Sequence, residues 1–113
     1  MDTAMKQSDY EIQPEELQRK MADGADLLLL DVRRPDEVEI CALPDAVNIP
    51  IEELQECVEE LDPEKPTVVV CHHGVRSLSA TVFLRNLGFT DVRSLSGGID
   101  LWSRAIDPSV PRY

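Results

Sequence analysis

Neither a CxxC pair nor a histidine–cysteine cluster at ligand spacing occurs in this chain, so there is no pattern for a structural zinc site. Cysteine itself is scarce. Cys41, Cys57 and Cys71 are an odd number and cannot all pair. Thiols of a cytosolic chain stay reduced in any case, so no disulfide framework is expected and one thiol is free for chemistry. No apolar run approaches the length of a membrane span; the longest is Leu27–Leu30, extended by Val32 after one aspartate. The opening residues, MDTAMKQSDYEI, lack the basic start and apolar stretch of a secretory signal. Internal repeats and low-complexity tracts are absent as well. Positive charge is in short supply: 11 lysines and arginines stand against 22 acidic residues, a net charge of −11. That balance argues against nucleic acid and anionic membrane as partners. What remains is a cytoplasmic globular domain, and 113 residues are enough for one hydrophobic core.

The charge is unevenly spread. Residues 1–66 carry 6 basic and 19 acidic side chains, net −13, whereas residues 67–113 carry 5 basic and 3 acidic, net +2. The half that contains Cys71 is therefore expected to be locally positive and able to receive a small anion, with acidic helices of the first half facing solvent.

Short strand-like runs alternate with helical patterns, which favours an α/β fold: an open, mostly parallel central sheet of about five strands with helices on both faces. YEI reads as a short first strand. PEELQRKMADG reads as a helix with Pro14 in the first turn, Glu15 and Glu16 near its positive end and Gly24 beyond its close. LLLLDV is apolar without alternation, as a strand buried on both faces should be, and RPDEVEI gives one or two helical turns. AVNIP is a short strand stopped by Pro50. IEELQECVEEL is expected to be one helix, with Leu54, Cys57, Val58 and Leu61 forming its stripe, which places Cys57 in the core. TVVV is β-branched throughout and reads as a central strand. SLSATVFLRNLG is a helix with Ala80, Phe83, Leu84 and Leu87 on one face and Gly88 past its end. DVRSL is the last strand and GGIDLWSRAI the closing helix. In such sheets sites form beyond the carboxyl ends of the strands, and Asp31 and Cys71 each end a buried strand.

The stretch VVVCHHGVRS carries the chemistry. The loop from Cys71 to the helix expected near Ser77 must curl on itself, and Gly74 permits the torsion this needs. The amides of such a curl can converge into an anion-binding nest, aided by the unpaired N–H groups of the helix start. Arg76 adds a permanent charge with a planar fork suited to oxyanions. Each of these features favours a thiolate over a thiol, and the thiolate is the nucleophile. The competing reading is a strand-end cysteine packed as a small hydrophobe. The grouping of Cys71, Gly74 and Arg76 on one strand-to-helix turn favours catalysis.

CHHGVRS resembles the active-site loop of the rhodanese family, Cys-x-x-Gly-x-Arg-Ser/Thr. The resemblance extends in order along the chain. LLLLDVRRPDEVE is similar to the family's Asp-Val-Arg-x-Pro-x-Glu segment, ALPDAVNIP to its Ile-Pro-Gly-Ala-x-Asn-Ile-Pro segment, and LRNLGFTDVRSLSGGIDLW to its closing segment. This implies a rhodanese-like domain over residues 9–106, an N-terminal extension at 1–8 and a tail at 107–113. It also implies a sulfurtransferase: Cys71 takes a sulfane sulfur from thiosulfate or a persulfide donor and, as a persulfide, passes it to a thiol or cyanide. The acceptor thiol could belong to a sulfur-carrier or thioredoxin-like protein, and no metal or organic cofactor is required. In this reading His72, His73, Gly74, Val75, Arg76 and Ser77 form the substrate loop. Arg76 holds the sulfonate of thiosulfate, Ser77 caps the helix, and His72 and His73 contribute mainly backbone N–H groups.

Asp31 and Arg33 are expected behind the loop, bonding it or each other; a structural role for Asp31, capping the next turn, is the competing reading. Arg34 is read as a solvated charge, Asn48 as a backbone-bonding strand-end residue, and Trp102 as a core anchor under the site. Two departures from the family stand out. CAL at 41–43 replaces Gly-His-Ile, and EICALP is similar to variants in rhodanese domains attached to sulfur-carrier activating enzymes. Cys41 then has a possible resolving role against Cys71. Asp45 replaces a glycine, tolerable if that turn needs positive φ. Two other functions fit parts of the pattern: a non-catalytic interaction module of the same fold, and a cysteine phosphatase or arsenate-type reductase. The phosphatase loop is Cys-x5-Arg, whereas Cys71 and Arg76 are Cys-x4-Arg, a tighter ring.

Overall fold

The computed structural model describes residues 6–113; most of the extension expected at 1–8 lies outside the described residues. Five strands form one all-parallel sheet: β1 (Glu11–Ile12), β2 (Leu28–Asp31), β3 (Val47–Asn48), β4 (Thr67–Val70) and β5 (Val92–Leu95), in the order β1-β5-β4-β2-β3. The helices are α1 (Pro14–Ala22), α2 (Pro35–Ile40), α3 (Leu54–Cys57), α4 (Val75–Asn86) and α5 (Gly98–Ala105). The sheet class and the central place of TVVV are as the alternating pattern led one to expect.

The sheet alternates its side chains between two cores. Leu29, Val68 and Val70 pack with Leu17 of α1, Cys41, Leu43, and Ile99 and Trp102 of α5. Leu30, Val69 and Cys71 pack with Leu54 of α3 and with Ala80 and Leu84 of α4. Burial on both faces explains the unbroken apolar run of β2 and the four buried residues of β4. Each fully buried leucine or valine contributes roughly 1.5–3 kcal/mol of transfer free energy.

Topology decides where the site falls. After β2 the chain moves outward to β3; after β4 it moves the other way, to β5. The crevice at this reversal lies beyond the carboxyl ends of β2 and β4. There Asp31 pairs with Val70, and the Val32 amide donates to the Val70 carbonyl at 3.0 Å. Asp31 and Cys71, forty positions apart, become neighbours.

Three expectations need correction. Residues 51–61 are not one helix but a 3-10 turn (Ile51–Glu53), the four-residue α3 and a second 3-10 turn (Val58–Glu60). Five glutamates, including the i,i+4 pairs Glu52–Glu56 and Glu56–Glu60, repel along this stretch with no basic residue among them. In consequence Cys57 is half-buried rather than in the core. The helix after Cys71 begins at Val75, two residues earlier than expected. Its buried face is Ser77, Ala80, Thr81 and Leu84, while Leu87 is exposed and Phe83 half-buried. Elsewhere Asp45 does adopt positive φ, at 60°, and Asn48 donates to the carbonyls of Asp31 and Arg33 at 2.9 Å each.

Candidate active site

Cys71 follows the last residue of β4, and its side chain is 1% exposed. Three donors can address its sulfur. The Gly74 amide lies 3.1 Å from Sγ, the Ser77 amide 3.3 Å and the Ser77 hydroxyl 3.2 Å. Ser77 Oγ in turn lies 2.7 Å from Oγ of Ser94 on β5. With the sulfur charged, the hydroxyl chain runs in one direction: Ser94 donates to Ser77, and Ser77 donates to Cys71. An anion on Sγ thus meets two amides and an oriented hydroxyl in a buried setting, where such bonds are stronger than in water.

The loop holds this shape because its carbonyls point the other way. The Cys71 carbonyl accepts from Ile99 N at 2.9 Å and the His72 carbonyl from Asp100 N at 3.1 Å, both at the start of α5. Gly74, the residue before α4, has φ 96°, a torsion costly for other residues. Gly98 lets α5 approach: a Cβ there would collide with the His72 carbonyl oxygen and stand 2.6 Å from that of Cys71. Ser77 is therefore not the helix cap. It is the third residue of α4, turned inward, and its carbonyl accepts from the Thr81 hydroxyl at 2.8 Å.

Asp31 and Arg33 bond each other. Arg33 Nη2 donates to Asp31 Oδ2 at 2.7 Å and Nε to Oδ1 at 3.0 Å, with both side chains fully buried. Nη2 also donates to the Cys41 carbonyl at 2.7 Å, which ties down the segment that departs from the family pattern. Burial works against the Arg33 charge; the hydrogen bonds to Asp31 and Tyr113 more than offset it and keep the guanidinium above its ordinary range. Neither side chain bonds the Cys71 loop directly.

Arg76, expected to face a sulfonate, is paired inside the protein. Its Nη1 and Nη2 donate to Glu37 Oε1 and Oε2 at 2.7 and 3.0 Å. Glu37 is 4% exposed, and the Arg76 guanidinium holds its carboxyl down to about 2 against the opposing effect of burial. The guanidinium remains partly open to solvent. Among the loop side chains His73 and Val75 are exposed, Val75 by 74%. His72 is half-buried. Burial and then the neighbouring His73 lower its pKa, and its buried Nε2 has no hydrogen-bond partner among the described residues.

Glu37, Ser94 and Tyr113 were not among the expected site residues. Glu37 had a signal, as the last residue of the Asp-Val-Arg-x-Pro-x-Glu segment. Ser94 and Tyr113 had none, because strand register and the path of the tail bring them in. Tyr113 accepts from Arg33 Nη1 and donates to Glu37 Oε2, both at 2.9 Å. Cys41 does not join the site. It belongs to the core on the opposite face of the sheet from Cys71, which gives a Cys41–Cys71 disulfide no place. Trp102 is a core anchor, on that same far face. A cleft of about 690 Å³ lined by Met21, Cys41, Trp102 and Val110 lies there too and shares no residue with the Cys71 loop. Among the described residues no group of three metal-ligating side chains occurs.

A shielded sulfur at a switch point, ringed by donors and backed by two arginine–carboxylate pairs, defines an α/β protein of the cysteine-dependent, anion-stabilising class. The chain belongs to the rhodanese-like domain family, whose model matches residues 13–105. It is 42% identical over 91 residues to the thiosulfate sulfurtransferase GlpE of Pseudomonas syringae, covering 80% of this chain and 84% of that protein. It is 39% identical over 94 residues to the adenylyltransferase and sulfurtransferase MOCS3 of Drosophila ananassae, covering 76% of this chain but only 21% of that longer protein. Among solved structures it resembles a rhodanese-related protein from Thermoplasma volcanium, with TM-score 0.76 and 34% identity, covering 89% of this chain and 94% of that one.

Proposed function

We propose that the protein is a sulfurtransferase working through a persulfide on Cys71. The observation that carries this is the set of two amide donors and one hydroxyl within 3.3 Å of a buried cysteine sulfur. The Cys71 thiolate attacks the outer sulfur of thiosulfate. A Cys71–sulfur bond forms, the S–S bond of thiosulfate breaks, and sulfite leaves with the electron pair. Charge is conserved: the thiolate's negative charge reappears on the outer sulfur of the persulfide, the site's equivalent of an oxyanion. The acceptor, cyanide or a thiolate, then attacks that outer sulfur and restores the Cys71 thiolate. A protein or small-molecule persulfide serves as donor by the same exchange, with a thiolate leaving in place of sulfite. No external oxidant or reductant is consumed.

The natural acceptor in this reading is a thiol, on a sulfur-carrier or thioredoxin-like protein. The similarity to a protein that joins an adenylyltransferase to a sulfurtransferase supports the first. The exposed Val75 and His73 at the loop rim give an acceptor a surface to meet. We place the reaction in the cytoplasm, in keeping with three unpaired cysteines.

The test is turnover of thiosulfate with cyanide, followed as thiocyanate. The wild-type chain should turn over many times, and Cys71→Ser should reduce the rate to background. Equal rates for the two would remove Cys71 from the reaction and end this reading.

A further inference from the structure

The segment after α5 runs along the face of the sheet opposite Cys71, is fastened at three points, and brings Tyr113 to the site. The Ser103 hydroxyl donates to the Val110 carbonyl at 2.6 Å. Arg112 Nε donates to Oδ1 of the buried Asp100 at 3.0 Å. Tyr113 then lands between the two loops that flank Cys71. Its ring lies flat on the His72 imidazole, with centroids 3.8 Å apart and planes within 6°. Its hydroxyl bridges Arg33 Nη1 and Glu37 Oε2. Arg76 Nη2 donates to that same oxygen, Glu37 Oε2, at 3.0 Å. The family match stops at residue 105, so this fastening belongs to the chain beyond the matched domain.

We propose that Tyr113 is a positioning residue of the sulfur-transfer site, clamping His72 of the Cys71 loop to the Glu37–Arg76 pair and sharing Glu37 Oε2 so that part of the Arg76 charge stays available to an anionic sulfur donor. A carboxylate oxygen that accepts two hydrogen bonds holds each less tightly than one that accepts a single bond. Glu37 Oε1 accepts from Arg76 Nη1 and from the Arg34 amide, so without the tyrosine hydroxyl Oε2 is left to Arg76 alone, and less attraction remains for an incoming anion. The ring has a separate role. Stacked on His72, it covers one face of the residue next to Cys71 and keeps the loop in the form that points the Gly74 and Ser77 amides at the sulfur. Hydroxyl and ring therefore act on different quantities: the first on the capture of an anionic donor, the second on the attack itself.

The inference rests on the sulfur-transfer reading, and the experiment separates the two. Initial rates of the full chain are measured over a range of thiosulfate concentrations at saturating cyanide, for wild type, Tyr113→Phe and Tyr113→Leu. Circular dichroism melting is recorded for each. Tyr113→Phe keeps the ring and loses both hydrogen bonds. It should raise KM for thiosulfate about three- to tenfold, the scale of one partly exposed bond to a charged group, and leave kcat within about twofold. Tyr113→Leu should raise KM similarly and lower kcat as well. A Tyr113→Phe variant with wild-type KM, or one whose kcat falls with its melting temperature at constant KM, overturns the proposal. Should Tyr113→Leu fail to fold, Tyr113→Phe decides alone. Absence of turnover in the wild type would instead remove the sulfur-transfer reading and this inference with it.

Discussion

Ser77 Oγ stands between the Cys71 sulfur and Ser94 Oγ, at 3.2 and 2.7 Å, and that position makes it the most informative single side chain after the cysteine. Ser77→Ala removes one of three donors to the sulfur and strands the buried Ser94 hydroxyl. Sulfur loading from thiosulfate should slow by about ten- to a hundredfold, at or below what loss of one oxyanion-hole donor costs. Stability should fall by about 1–3 kcal/mol from the unpaired hydroxyl. Stopped-time mass spectrometry reads the first and denaturant unfolding the second; unchanged loading would show that the two amides suffice. At this scale the sequence was legible where a residue acts through the loop it sits in. Cys71, Gly74 and Ser77 are adjacent in sequence and in space, and the Asp31–Arg33 pair is two residues apart. It was silent on Ser94, which arrives by the pairing of β4 with β5. The role assigned to Arg76 also changed: a free-looking guanidinium finds a carboxylate 39 positions away.

That Arg76–Glu37 contact joins α2 to α4 across the mouth of the site, and it sets a pH dependence. Glu37 titrates at about 2 in the folded chain against an ordinary 4.5. Its folded value is the lower one, so its stabilisation is fully present above about pH 4.5 and is lost as pH falls toward 2. Wild type should lose stability through that window. Glu37→Gln should be less stable at pH 7, where Arg76 loses its ion pair, and should lose less on acidification. Denaturant midpoints measured between pH 7 and pH 3 check this, and parallel curves would contradict it. The elements themselves were largely readable, because two-sided burial leaves β2 and β4 uninterruptedly apolar and because proline and glycine mark the ends of α1 and α4. Residues 51–61 misled because their apolar spacing is helical while five glutamates oppose a continuous helix. The start of α4 was missed by two residues because Gly74, not Ser77, makes the turn into the helix.

Over the whole molecule, the split of charge between the two halves of the sequence does not survive folding as a split in space. Arg76 pairs with Glu37 and Arg93 with Glu16, both carboxylates of the acidic first half, while Arg104 and Arg112 share Asp100. Arg85 lies over the Tyr10 ring and donates to the carbonyls of Val92 and Asp9. An anion approaching the protein therefore meets a surface of net charge −11, and its reception depends on the local donors at Cys71 rather than on a broad positive face. The sheet reversal between β2 and β4 puts those donors at one crevice, and Tyr113 reaches its edge against His72, Arg33 and Glu37. The account stands or falls on whether this ring of donors lets one sulfur carry another. Its most direct test is the intact mass of the protein after incubation with excess thiosulfate and removal of small molecules, with the adduct located by peptide mapping. The account predicts a gain of one sulfur atom per chain, located on Cys71, discharged by added cyanide and absent in Cys71→Ser. An unchanged mass, or a sulfur carried on Cys41 or Cys57, would contradict it.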